Sequence, residues 1–149
     1  MIKRRLGDFV NSIEIIGKFR NAKNITGSKG LKIRRMLKPI IAEIDEYNEL
    51  RNTKIQELGT RDKDGQISIS PEDPNYNEII SYIAELEDSE VSFDITPISI
   101  EVFDIEKETG LTNMDLDILL DLGLLFDPED LKEAKKEEKC EELPEKGDR

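Results

Sequence analysis

The nearest approach to a metal-binding pattern in this chain is residues 62–68. Asp62, Asp64, Gly65, Ile67 and Ser68 fall there on the middle positions of a calcium-binding loop. Such a loop takes an aspartate first and a bidentate glutamate twelfth, and those positions hold Thr60 and Pro71. Without its anchors the stretch reads instead as a tight turn at Asp64-Gly65 feeding a short strand, with Ile67 and Ile69 on one face and no bound metal. Histidine is absent and the single cysteine, Cys140, sits among charged residues, which excludes histidine-based nucleophile pairs, histidine-bound metals and intrachain disulfides. No GxxxxGKS/T loop and no GxGxxG turn follows a strand, so nucleotide cradling has no support. Thirty-four acidic residues make carboxylate pairs so common that none stands out as an acid-base dyad. The expectation is a non-enzymatic chain with no catalytic residues and no cofactor.

Recognition is the chemistry that remains. Lys29, Lys32, Arg34, Arg35 and Lys38 crowd one short stretch, and the charge of the whole chain is split along its length. Residues 1–58 carry thirteen Lys and Arg against seven Asp and Glu, whereas residues 59–149 carry nine against twenty-seven, within a total of −12. A basic end of this kind seeks phosphate, an acidic partner, or its own acidic half. The internal pairing is favoured, because a tethered acidic segment competes with nucleic acid at physiological salt, and nucleic-acid binding is expected to stay in the non-specific range. Tyr47 and Arg51, one helical turn apart, and the apolar run Leu124, Leu125 and Phe126 complete the candidate contact surface.

These residues have to be positioned by the elements around them. Residues 28–58 place Ile33, Leu37, Ile40, Ile44 and Tyr47 at spacings of three and four, the stripe of an amphipathic helix with Ser28 as a candidate N-cap. Asn48 and Arg51 spoil a strict heptad, and Pro39 predicts a kink or two helices meeting. Residues 6–23 place Phe9, Ile13, Ile16 and Phe19 on one face of a second helix, and the turn formers of 24–30 fold the two into a pair. Asn24-Ile25-Thr26 spells a glycosylation acceptor that has no secretory context. Asp73-Pro74 opens a third helix marked by Tyr76, Ile79, Ile80, Ile83 and Leu86, with Glu78, Glu85 and Glu87 on its outer side. Val91, Phe93 and Ile95 alternate as a strand, for which antiparallel pairing with the Ile67 to Ile69 strand is the natural proposal. Residues 98–103 read as a short strand or as a helical turn capped by Ser99. Thr112 with Asp115 makes a capping box for a last short helix, with Leu111 and Leu116 as its staple, and Gly123 ends it.

Together these elements predict an α+β fold: an N-terminal long helical pair, a small antiparallel β-sheet, two shorter helices and a mobile charged C-terminal tail. Residues 1–126 form one domain and residues 127–149 the tail, whose composition cannot offset its ordering entropy. No apolar run is long enough for a membrane span and the opening MIKRRLGDF lacks a signal-peptide core, so a cytoplasmic protein with no membrane contact is expected.

The succession of LKPIIAEIDEYNELRNTKIQELG, DKDGQI, a helix ending in an acidic run, EVSFDITPISIEVF and the capped GLTNMDLDILLDLGLL resembles a family of small phage-encoded proteins of unassigned function. The resemblance covers residues 19–125 and includes Tyr47 with Arg51, Gly59 and the Asp64-Gly65 turn. It implies a phage or prophage origin, and the cytoplasm of the host cell as the place of action. The expected function is that of an accessory or assembly protein acting through protein-protein contacts with a phage or host partner, or as a homo-oligomer. Nucleic-acid binding through the basic helix is the alternative, and a third reading is an acidic host-directed inhibitor.

Overall fold

Apolar residues spaced for one helical face make α3 (Gly27–Leu58) a single 32-residue helix, roughly 48 Å long, on which the rest of the chain is built. The computed structural model describes residues 1–103 and 107–130. The tail expected at 127–149, with Cys140, lies outside the described residues from position 131 onward. Ile33, Met36, Leu37, Ile40, Ile44 and Tyr47 form the buried face of α3. The N-cap is Thr26, two residues before Ser28. Pro39 lies inside the helix without dividing it. Both Pro39 and Arg35 are exposed, so water can meet the carbonyl that the proline leaves without a helical donor.

The element before α3 departs from the sequence reading. A strand, β1 (Ile2–Arg5), comes first, and the predicted helix of 6–23 is divided into α1 (Leu6–Val10) and α2 (Ile13–Arg20). The division is at Asn11-Ser12, where Ser12 N–H donates to Phe9 in a tightened last turn before Ile16 N–H starts again from Ser12. It rotates the two helices relative to one another, so Phe9, Ile16 and Phe19 are buried while Ile13, expected on the same face, is exposed. Both short helices pack on α3.

Beyond α3 the chain forms a small hairpin, β2 (Thr60–Arg61) and β3 (Ile67–Ser68). It is closed by the predicted turn, with Gly65 at φ +82°. Asp62 Oδ1 accepts from the N–H groups of Asp64 and Gln66, both at 2.9 Å, which commits this carboxylate to the turn. Helix α4 (Tyr76–Asp88) starts from Asn75, not from Asp73, whose carboxylate instead accepts from Ser70 N–H at 3.0 Å.

Strand β4 (Glu90–Phe93) pairs antiparallel with β1 in the register Ile2 to Phe93 through Arg5 to Glu90. The expected pairing with the Ile67 strand does not occur. The 13 residues of α4 carry the chain about 20 Å away from the hairpin before β4 begins, and only Ser89 intervenes. Strand β5 (Ile98–Ser99) then pairs parallel with β6 (Leu125–Phe126), the crossover being supplied by α5 (Asn113–Leu122). The single small antiparallel sheet expected is therefore three two-stranded sheets, two antiparallel and one parallel, among the described residues. Between β5 and α5, Ser99 caps a 3-10 turn (Ile100–Val102), so strand and turn both exist. Mixed helices and small sheets make the architecture α+β.

One apolar cluster joins α1, α2, α3, β1, β4, α5 and β6, with Phe9 edge-on to Phe93 at 5.4 Å. Helix α5 enters as the sequence predicts. Thr112 N–H donates to Asp115 Oδ2 at 3.0 Å, and Asp115 N–H donates to Thr112 Oγ1 at 3.1 Å. It leaves through Gly123 at φ +82°, where Gly123 N–H donates to Leu120 and Leu124 N–H to Leu119, a Schellman ending that only a residue tolerant of positive φ allows.

Asp115 is buried, and Lys18 Nζ of α2 lies 3.6 Å from its Oδ2. The hydrogen bond from the Thr112 backbone, with a smaller contribution from Lys18, holds the carboxyl below its ordinary pKa despite burial. A folded-state pKa below the unfolded value contributes stability above the unfolded pKa, near 4, that is lost as pH falls through the folded value. Asp115→Ala is expected to lower stability by about 1–2 kcal/mol at pH 7. Urea denaturation at pH 7 and pH 3 measures this, and the difference between variant and parent should shrink at the lower pH.

Candidate functional site

The first three turns of α3 carry all five cations singled out in the sequence, and helical geometry divides them. Lys29, Lys32 and Arg35 lie to one side of the buried stripe, while Arg34 and Lys38 lie to the other. Lys29, Lys32 and Arg35 line a groove of about 790 Å³ together with Met36 and Pro39 of the same helix. The opposite wall is the segment 94–97 between β4 and β5, β5 itself and the turn after it, and Phe126 of β6 lines the groove as well. Arg34 instead reaches Asn21 Oδ1 at 3.4 Å, and Lys38 is exposed outside the groove. The expected basic surface is thus two separate flanks.

Three ion pairs form among the described residues: Arg5 with Asp88 at 2.7 Å, Lys18 with Asp115 at 3.6 Å and Lys54 with Glu78 at 3.7 Å. Each joins the basic N-terminal stretch to the acidic remainder, which is the internal pairing that the charge split suggests. Lys54 also sits 5.1 Å from the Tyr82 ring. Lys29, Lys32, Arg35 and Lys38 take no part in such a pair among the described residues. The groove cations therefore keep their charge available, although Asp94 and Glu101 face them from the other wall.

Two other candidates prove to be internal. Tyr47 is buried, and its hydroxyl donates to Glu87 Oε1 at 2.8 Å. Burial first, and the bond to Glu87 second, push its pKa up to about 12, against the opposing charge of Arg51. Arg51 is half-buried and makes no ion pair with Glu43 or Glu49. Leu124 and Leu125, expected on the contact surface, form a hook that the fold itself covers, at 0% and 2% exposure. As contact-surface residues both are corrected; Phe126, half-buried at the groove, is the one that keeps an open side.

Sequence reasoning missed Met36, Pro39, Ile95, Pro97 and Val102, which give the groove its apolar lining. No local signal marks them, since Pro39 reads only as a gap in the hydrogen-bond ladder of the helix. The strand alternation read through Ile95 stops at Phe93, and residues 94–97 belong to no strand. Among the described residues no group of three or more acidic or cysteine side chains is arranged to hold a metal ion. None of the helices described is long and apolar enough to cross a membrane. Asn24, in the glycosylation-like triplet, takes a positive φ of 61° and donates through Nδ2 to the carbonyl of Glu108. No protein-family model, no curated protein and no solved structure matches the chain.

Proposed function

We propose that this chain is a non-enzymatic, phage-encoded accessory or assembly protein that acts in the cytoplasm of the host by binding another protein. The observation that carries this reading is the groove beside α3, an open apolar surface edged by cations that have no ion-pair partner among the described residues. Its size is that of a site for a ligand or a short peptide segment. Helices α1 and α2 brace the buried face of α3 and leave its Lys32 side outward. The absence of histidine from the sequence supports a binding role over a catalytic one.

Nucleic-acid binding by the five cations has less support, because they do not share a face and the groove also carries Asp94 and Glu101. An inhibitor imitating nucleic acid through the acidic half has less again, since Glu78 and Glu87 are engaged with Lys54 and Tyr47.

A photo-crosslinking amino acid placed at Pro39, and separately at exposed Asn52 further along α3, tests the reading in host-cell extract. Discrete protein adducts from position 39 and not from position 52 are expected. Adducts abolished by nuclease would transfer the groove to nucleic acid, and equal yields at both positions would end the reading.

A further inference from the structure

Resting on the protein-contact reading, we infer that the groove takes an extended acidic peptide segment of its partner, laid along residues 94–96 as an added strand. Two independent observations carry this. The first is charge. Lys29, Lys32 and Arg35 recur along one wall, none of them is in an ion pair among the described residues, and they outnumber the groove's two carboxylates, Asp94 and Glu101, so an occupant bearing carboxylates is favoured over a cationic one.

The second is the backbone of the other wall. Strand β4 leaves its ladder with β1 after Phe93, and the next hydrogen bond of the main chain is Ile98 N–H to the carbonyl of Leu124. Between them the main-chain groups of Asp94, Ile95 and Thr96 bond to nothing among the described residues, and the segment lines the groove. Unpaired main chain that continues from a strand and borders an apolar surface is a template on which a peptide adds as a strand. Pro97 has no N–H and ends the row, which limits the added strand to about three residues.

Side chains alternate along a strand, so every second residue of the occupant faces α3, where its carboxylates reach the cations. A polynucleotide does not fit in the same way, since its backbone offers no strand pairing to residues 94–96.

The test uses the full chain and fluorescence anisotropy with four labelled probes. These are a ten-residue peptide alternating aspartate and leucine, its counterpart with lysine for aspartate, the acidic peptide N-methylated at alternate residues, and a twenty-nucleotide oligothymidylate. The acidic peptide should bind at least about tenfold tighter than the lysine peptide, a difference of about 1.4 kcal/mol. N-methylation should weaken it about fivefold or more, because it removes the main-chain donors without changing the charge. Lys32→Glu with Arg35→Glu should remove at least about tenfold of the affinity; both residues are exposed, and circular dichroism checks that the helix survives. Equal binding of the acidic and lysine peptides, no effect of the charge reversal, or full binding of the N-methylated peptide would each overturn the inference. Tighter binding of the oligothymidylate would overturn it in favour of nucleic acid. No peptide binding alongside protein adducts at position 39 would overturn the peptide while leaving the protein-contact reading in place.

Discussion

Leu124→Ala is expected to destabilise the protein by about 3 kcal/mol, within the range of roughly 2–5 kcal/mol for truncating a buried leucine. Leu124 is fully buried, and the backbone at that position is bonded in both directions. Its N–H donates to Leu119 at 3.0 Å and its carbonyl accepts from Ile98 at 3.1 Å. These bonds hold the side chain against the core next to Leu119, also fully buried, so the cavity left by truncation cannot collapse by moving the chain. For a chain of this length the loss corresponds to a fall in Tm of roughly 6–12 °C. Thermal and urea denaturation measure it. The same substitution separates two readings of the apolar run after Gly123. A contact surface would lose binding and keep its stability, whereas the buried hook described here loses stability first. A Tm within about 2 °C of the parent would show that Leu124 is not a core residue.

Gly59→Ala is expected to cost about 1–3 kcal/mol, through space alone. The residue has φ −70° and ψ 162°, a conformation open to every amino acid, so no backbone strain is relieved by glycine here. A Cβ at that position would lie 2.4 Å from the carbonyl oxygen of Ile55 and 2.6 Å from Cγ2 of Ile67. The first is backbone of the last turn of α3 and cannot yield without distorting the helix end, where Gly59 N–H already donates to the same carbonyl. The second belongs to β3, so the substitution should also loosen the β2 to β3 hairpin against the helix. Faster amide exchange at Asp62 and Gly65 in the variant, with the β1 to β4 amides unchanged, is the expected signature. Gly65→Ala is the useful contrast: nothing lies within 4 Å of its missing Cβ, and its cost would come from φ +82°.

Much of the candidate groove was hidden in the sequence because it belongs to no single stretch. Lys29, Lys32 and Arg35 stood out as a cluster, but so did Arg34 and Lys38, and only the rotation of α3 about its axis sorts them. Phe126 stood out as apolar and was grouped with Leu124 and Leu125, whereas the parallel pairing of β5 with β6 leaves it alone at the groove. Ile95 was read as part of a strand, and its neighbour Pro97 joins it at the groove. Their use as a wall depends on where α4 delivers the chain, which no local pattern records.

What the sequence by itself determined are the features whose causes lie within a few residues. The buried face of α3 follows from a 3.6-residue periodicity, the entry of α5 from Thr112 and Asp115, its exit from Gly123, and the hairpin turn from Asp64-Gly65. Each is settled by backbone sterics and hydrogen bonds that close over one turn or less. Only the tertiary structure decided that β1 exists, that it pairs with β4, that the first helix divides at Asn11-Ser12, and that Leu124 and Leu125 are covered by the fold itself. A strand as charged as IKRR has no pattern strong enough to declare itself, and it forms because Ile2 finds Phe93 and Gly123 across the core. Such contacts join residues distant in the chain and depend on the path of everything between them, so their energy is a property of the fold and not of any segment.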